Sequence, residues 1–253
     1  IGGSYGGVPS LTATSGPGFA LMVESLGLAV ASETPVVVVD VMRVGPSTGI
    51  PTKSEQGDLN IALYGLHGDA PHLVLAPNSV ADCLRTTQWA VQLAEALQVP
   101  AIVLSDQFFG QTRAVIDEPV ELGIGTGPVR LIAEAKSPDF RRYAVTPSGV
   151  SPMAVPGTAG VTYTADGLEY GERGTPSSQG TDHLAQLDKR RAKLELADYG
   201  MHWADIEGEG DLAVLTFGSC TGIVREGLAR ARVDGVRERL VSMRLLSPAQ
   251  PKP

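Results

Sequence analysis

The sequence predicts an α/β fold: a doubly wound parallel sheet, then an irregular connector, then the start of a second α/β domain. Three observations carry this. A short β-prone run, Leu11–Thr14, breaks at Ser15-Gly16-Pro17-Gly18 and leads into a helical apolar pattern. The run VVVVDV that follows is of the unbroken β-branched kind found in parallel strands covered on both faces. The same order of strand, helix and strand then recurs downstream.

Taken in order, apolar residues after the glycine turn fall at Phe19, Met22, Val23, Leu26 and Val30, the spacing of one helix face. Ser15 is placed to cap that helix and Pro17 suits its first turn. Pro35 opens VVVVDV, and residues 43–56 form a polar loop rich in Gly, Pro, Ser and Thr. A short helix is expected over Leu59–Leu66 and a strand over Leu73–Ala76. A long helix follows over Ser79–Leu97, with Ser79 as cap and Asp82 three residues on. Pro100 opens the buried strand AIVLSD. Residues 118–180 have weak periodicity and read as short strands and turns, a length that argues for function or for packing on a partner. Thr181–Gly200 is helical, and its basic KRRAK cluster reads as a solvated face. Asp211–Phe217 is a strand, Ile223–Val233 a helix and Leu240–Leu246 a further strand. The expected divisions are residues 1–117, 118–205 and 206–253.

Composition narrows the function classes. The 253 residues carry a net charge of −8, so no polyanion-binding face is expected and nucleic acid is not a partner. Gly and Pro number 30 and 18, which fits many tight turns around an aliphatic core. Cys83 and Cys220 lie far apart with no C-x-x-C, so neither a disulfide framework nor a cluster ligand set can be built. No apolar run reaches the roughly 18 residues of a membrane span, and no leader pattern is visible. A cytoplasmic location is expected. The chain begins at Ile1 rather than Met, and is expected to be a piece lacking both ends.

Two segments are candidates for chemistry. Thr14-Ser15-Gly16-Pro17-Gly18 joins a strand to a helix, where backbone N–H groups can face a polar or anionic ligand. It matches neither G-x-G-x-x-G nor the P-loop, and a plain structural turn is the alternative. The second is Arg43-Val44-Gly45-Pro46-Ser47-Thr48-Gly49-Ile50-Pro51-Thr52-Lys53, which leaves the carboxyl end of a strand. Arg43 offers a planar fork of donors suited to a carboxylate, with hydroxyls and Lys53 nearby. The alternative is a surface loop with an exposed Arg. His67 and His72 lack the helical spacing of a zinc site, and the absence of G-x-S-x-G leaves no Ser–His–Asp reading.

TATSGPGFALMVESLGLA followed by VVVVDVMRVGPSTGIPTKSEQGDL resembles the α subunit of 2-oxoacid:ferredoxin oxidoreductases, the 2-oxoglutarate type above all. LYGLHGDAP, VLAPNSVADC, PAIVLSDQF, SPMAVPGT, GLEYGE, KRRAKLE, SCTGIVREGL and MRLLSP agree in order, so the resemblance spans nearly the whole chain. Met42 stands where the family usually has Gln, and Tyr170 where a His is common. The resemblance implies a thiamine pyrimidine-binding-like domain and a thiamine diphosphate enzyme. Such an enzyme decarboxylates a 2-oxoacid, passes electrons to ferredoxin and transfers the acyl group to coenzyme A. It implies a β subunit, in an αβ unit or a dimer of them, holding the diphosphate site, Mg²⁺ and a [4Fe–4S] cluster. It assigns Arg43 to the substrate carboxylate, Thr52 to a second substrate contact, and Thr14, Ser15 and Gly16 to the loop against thiamine. It also places the thiamine-activating Glu before Ile1, since Glu24 and Glu33 fall on the wrong side of the loop. The competing reading is a non-catalytic assembly fragment that needs its β partner. A third, an acetohydroxyacid-synthase-like transferase, would need flavin and a longer chain, and PSTGIPTK is foreign to it.

Overall fold

The computed structural model describes residues 1–51, 53–116 and 130–250. In chain order its elements are α1 (Gly2–Tyr5), β1 (Leu11–Thr14), α2 (Gly16–Ala31), β2 (Val36–Met42), α3 (Leu59–Tyr64), β3 (Leu73–Leu75), α4 (Val80–Leu97), β4 (Pro100–Asp106) and α5 (Gln107–Gln111). After the connector come α6 (Gly180–Leu196), β5 (Ala204–Glu207), β6 (Leu212–Thr216), α7 (Cys220–Val233), β7 (Glu238–Met243) and β8 (Leu245–Ser247). The expected division at 117/118 lies outside the described residues.

The main sheet has the order β1-β2-β4-β3-β8. Its first four strands are parallel, so all four end at one edge. Alternation along the strands builds both faces. Val36, Val38 and Met42 of β2, Val74 of β3, and Ile102 and Leu104 of β4 face Phe19, Leu26 and Val30 of α2 and Ala62 of α3. Val37, Leu73, Leu75, Ala101 and Val103 face Trp89, Ala90 and Leu93 of α4, with Leu194 at the end of α6. Helices therefore cover both sides of the sheet, as the unbroken apolar strands predict. Between α5 and α6 the described residues form no helix and no strand beyond isolated bridges.

Three expectations are corrected. Leu240–Leu246 is not one strand. Arg244 interrupts it, donating to both carboxylate oxygens of Asp82 at 3.1 and 3.0 Å and to Asp205 at 2.7 Å. β7 stays in a second sheet, β5-β7-β6, while β8 crosses over and pairs antiparallel with β3. The main sheet is accordingly mixed at that edge. Ser15 occupies the N-cap position of α2 but makes no side-chain capping bond, whereas Ser79 does cap α4, accepting from the Asp82 N–H at 3.0 Å. The KRRAK cluster is not a solvated face. The side chains of Lys189 and Lys193 are fully buried and both bind the Glu33 carboxylate, Lys189 at 2.5 Å. Arg190 is nearly buried against Glu169 at 2.8 Å, and of the cluster's four charged residues only Arg191 lies exposed.

That buried ionic cluster fixes α6 to the end of α2. Arg142 from the connector adds to it, donating to the Glu33 backbone carbonyl at 2.7 Å. Burial alone would push the Glu33 carboxyl up, but Lys193, Lys189 and Arg142 outweigh it and hold its pKa at about 2. Burial pulls Lys189 down to about 8 and Lys193 to about 7, against the attraction of Glu33.

Candidate functional site

The carboxyl edge of the four parallel strands is where open α/β sheets bind ligands. Thr14, Met42, Leu75 and Asp106 end the strands there, and three groups of residues converge on it.

The first group is the β1–α2 turn. Thr14, Ser15 and Gly16 are all half-buried. Phe19 donates the first regular helical bond, to the Ser15 carbonyl at 2.9 Å, so the earlier N–H groups of α2 have no intrahelical acceptor. With Ser15 not engaged as a cap, its hydroxyl and these N–H groups are donors for a polar ligand. The glycine at position 16 has a reason inside the protein as well: a Cβ there would stand 2.8 Å from both carboxylate oxygens of Asp58.

The second group is the loop that leaves β2. Val44 N–H donates to the Lys53 carbonyl at 3.0 Å, and Gly45 N–H donates to the Glu55 carboxylate at 3.0 Å, which closes the loop on itself. Gly49 has φ +55°, and a Cβ there would run into the Val44 carbonyl, so only glycine fits. Arg43 is half-buried at the base of this loop, and its Nε, fully buried, has no hydrogen-bond partner. A buried guanidinium donor left open is what a carboxylate ligand satisfies. Thr52 lies outside the described residues.

The third group was not read from the sequence. Gln56, just after the loop, donates to the Phe217 carbonyl at 3.2 Å and accepts from the Cys220 thiol at 3.4 Å. Asn78 accepts from Gly218 N–H at 3.2 Å and from the Thr221 hydroxyl at 3.1 Å. Asp106 caps α5, accepting from Phe109 N–H at 3.2 Å, and also accepts from the Ser219 hydroxyl. The start of α7 is thereby docked on the carboxyl edge beside the Arg43 loop. These partners lie more than a hundred residues apart, and no local pattern announces them.

Two carboxyls sit beneath the first two groups. Asp40, in register with Thr14, is fully buried, and Asp58 lies within hydrogen-bond reach of it. Burial and the neighbouring Asp58 charge raise the Asp40 pKa to about 8, and burial likewise raises that of Asp58. The lone carboxylate within VVVVDV was the available signal for Asp40.

The other predicted residues do not join the site. Both ring nitrogens of His72 lie on backbone carbonyls, Ala70 at 2.7 Å and Ala62 at 2.6 Å. Glu33 is committed to its lysines, and Glu24 is exposed. A cavity of about 530 Å³ opens between α3, residues 68–72 and α6, and Arg43 is not among the residues lining it. Among the described residues, no helix is long and apolar enough to cross a membrane.

The family profile "pyruvate flavodoxin/ferredoxin oxidoreductase, thiamine diphosphate-binding" matches residues 1–188. The chain is 37% identical to the 2-oxoglutarate oxidoreductase subunit KorA of Mycobacterium tuberculosis, covering 98% of this chain and 38% of the relative. It is 36% identical to the 2-oxoglutarate synthase subunit KorA of Methanothermobacter marburgensis, covering 94% of this chain and 63% of the relative. Among solved structures it resembles a 2-oxoglutarate:ferredoxin oxidoreductase from Magnetococcus marinus with 2-oxoglutarate, coenzyme A and succinyl-CoA bound. That likeness has a TM-score of 0.84 and 39% identity, over 98% of this chain and 44% of the other. The chain thus spans between 38% and 63% of the length of these two curated relatives.

Proposed function

Because the chain belongs to the pyruvate flavodoxin/ferredoxin oxidoreductase family and carries its thiamine diphosphate-binding domain, we propose that it acts as α-subunit sequence of a 2-oxoacid:ferredoxin oxidoreductase. The substrate class is a 2-oxoacid, with 2-oxoglutarate favoured by the relatives' names. The reaction is oxidative decarboxylation to an acyl-CoA and CO₂, with electrons passed to ferredoxin.

The observation that carries this reading is the buried, unpartnered Nε of Arg43, which follows β2, the strand paired with β1. Arg43 binds the oxoacid carboxylate through charge-assisted hydrogen bonds and so orients the carboxylate that is to leave as CO₂. Thr52 adds a hydroxyl to the same group. Thr14, Ser15 and Gly16 line the side that meets the pyrimidine end of thiamine, and the unpaired N–H groups at the start of α2 fit a polar ring there. Thiamine diphosphate, when bound, supplies the carbanion chemistry that the side chains lack. The diphosphate site, Mg²⁺ and the [4Fe–4S] cluster belong to the β subunit, which also completes the substrate pocket.

Exposed apolar side chains support a partner. Leu11 on the edge strand β1, Leu212 and Leu215 on β6, and Ile223 and Val233 on α7 all face outward. They equally support the competing assembly-fragment reading, so the test must read chemistry. The complex with its β subunit is assayed for reduction of ferredoxin that requires both a 2-oxoacid and coenzyme A. Dependence on both is expected. A complex that binds thiamine diphosphate but reduces no acceptor with any 2-oxoacid favours the assembly role.

A further inference from the structure

Asp40 and Asp58 bracket the loop that carries Arg43. Asp40 lies three residues before Arg43, and Asp58 lies five residues after Lys53. The two carboxyls lie within hydrogen-bond reach of each other. Neither oxygen of Asp40 has a donor to accept from, and the buried Oδ2 of Asp58 has none either. Two ionised carboxylates are acceptors only, so buried face to face they leave every one of these oxygens unpaired and repel each other. One proton between them pairs an oxygen of each carboxyl and relieves the repulsion, because it gives the pair a donor and removes one charge.

We infer that Asp40 and Asp58 share one proton and that this pair is a clasp at the base of the Arg43–Lys53 loop, positioning Arg43 relative to the β1–α2 turn. Asp40 is the deeper member and holds the proton, which it donates to Asp58. The remaining negative charge lies on Asp58, against Gly16 at the N-terminus of the 16-residue α2, where the helix dipole favours it. Asp58 thus joins the return of the loop to β2 and packs against the turn expected to meet thiamine.

The surroundings favour keeping the proton. β1 presents Thr14 and β4 presents Leu104 beside Asp40, and α3 contributes Ala62 to the same face. Glu55, from the loop itself, adds a further negative charge near Asp58. Raised pKa values for both groups agree with this geometry. Both residues act through Arg43 and are positioning residues.

The inference rests on the proposed role of Arg43, and its test separates the two. In the complex with its β subunit and without substrate, amide exchange of residues 43–57 is followed across about pH 7 to 9, with the intrinsic pH dependence removed. In the wild type, protection of the loop is expected to fall about tenfold as the shared proton is lost. Asp40→Asn carries a fixed donor in its place and removes that pH dependence, while Asp40→Leu leaves the loop unprotected at every pH. Should Asp40→Asn fail to fold, Asp58→Asn puts the donor on the other member and reads the same profile. Parallel pH profiles in wild type and Asn variant would overturn the clasp. KM for the 2-oxoacid is measured alongside. It is expected to rise with pH in the wild type and not in Asp40→Asn, with kcat changing less. A loop that loosens as described without any change in KM leaves the clasp standing and counts against Arg43 as the carboxylate site.

Discussion

Replacing Glu33 by Gln is expected to be among the most damaging single changes away from the site. Its carboxylate has no exposed surface and neutralises two buried ammonium groups, Lys189 at 2.5 Å and Lys193 on the other oxygen. Arg142 brings a third positive charge to the same place. Removing one partner of a buried ion pair costs roughly 3–5 kcal/mol, because the other charge is left without compensation. For a chain of this size each kcal/mol moves Tm by about 2–4 °C, so the loss corresponds to a shift on the order of 10 °C. Urea unfolding followed by circular dichroism at neutral pH measures it. The double variant Glu33→Gln/Lys193→Met removes one of the stranded charges and is expected to recover part of the loss, about 1–3 kcal/mol. The pH dependence follows from linkage. Glu33, depressed to about 2, contributes stability above its unfolded pKa that is lost as pH falls through about 2. Lys193 and Lys189, lowered to about 7 and about 8, bind fewer protons folded than unfolded up to about pH 10.5. Their contribution therefore rises with pH across that window. A loss under about 1 kcal/mol, with no recovery in the double variant, would refute the view that this cluster fastens α6.

Two smaller perturbations test the site's frame. Gly16→Ala places a methyl group 2.8 Å from the Asp58 carboxylate oxygens. It is expected to cost about 1–3 kcal/mol by overpacking and to weaken thiamine diphosphate binding in the assembled complex. Calorimetric titration of the complex checks this, and unchanged affinity counts against the β1–α2 turn as the thiamine side. Ser79→Ala removes the cap of α4 and is expected to cost about 1 kcal/mol, read by the urea midpoint. The same substitution at Ser15, which makes no capping bond, is expected to cost less than that.

What was legible in the sequence follows the range of the interactions involved. The spacing of Phe19, Leu26 and Val30 and the run VVVVDV encode local periodicities, and both faces of the sheet form where those periodicities place them. The Arg43 loop was legible as a motif at a strand's carboxyl end. The KRRAK helix reads as a solvated face because its compensating charge, Glu33, lies 156 residues from Lys189. Charged residues that find a distant buried partner leave no local trace. Leu240–Leu246 reads as one apolar strand, yet Arg244 is drawn to Asp82 and Asp205, and the chain changes sheets there. The docking of α7 through Gln56, Asn78 and Asp106 is equally non-local. Asp40 is not singled out by the sequence reading, which takes VVVVDV only as a buried strand, and its partner Asp58 lies 18 residues away across the loop.

The most direct test of the proposed oxoacid site is Arg43→Ala in the complex reconstituted with the β subunit, measuring kcat/KM for the 2-oxoacid and the affinity for thiamine diphosphate together. Loss of a buried charge-assisted pair predicts a fall in kcat/KM of about a hundredfold or more, with thiamine affinity within about twofold of wild type. An unchanged kcat/KM would contradict the assignment of the carboxylate to Arg43 and, with it, the proposed oxoacid site.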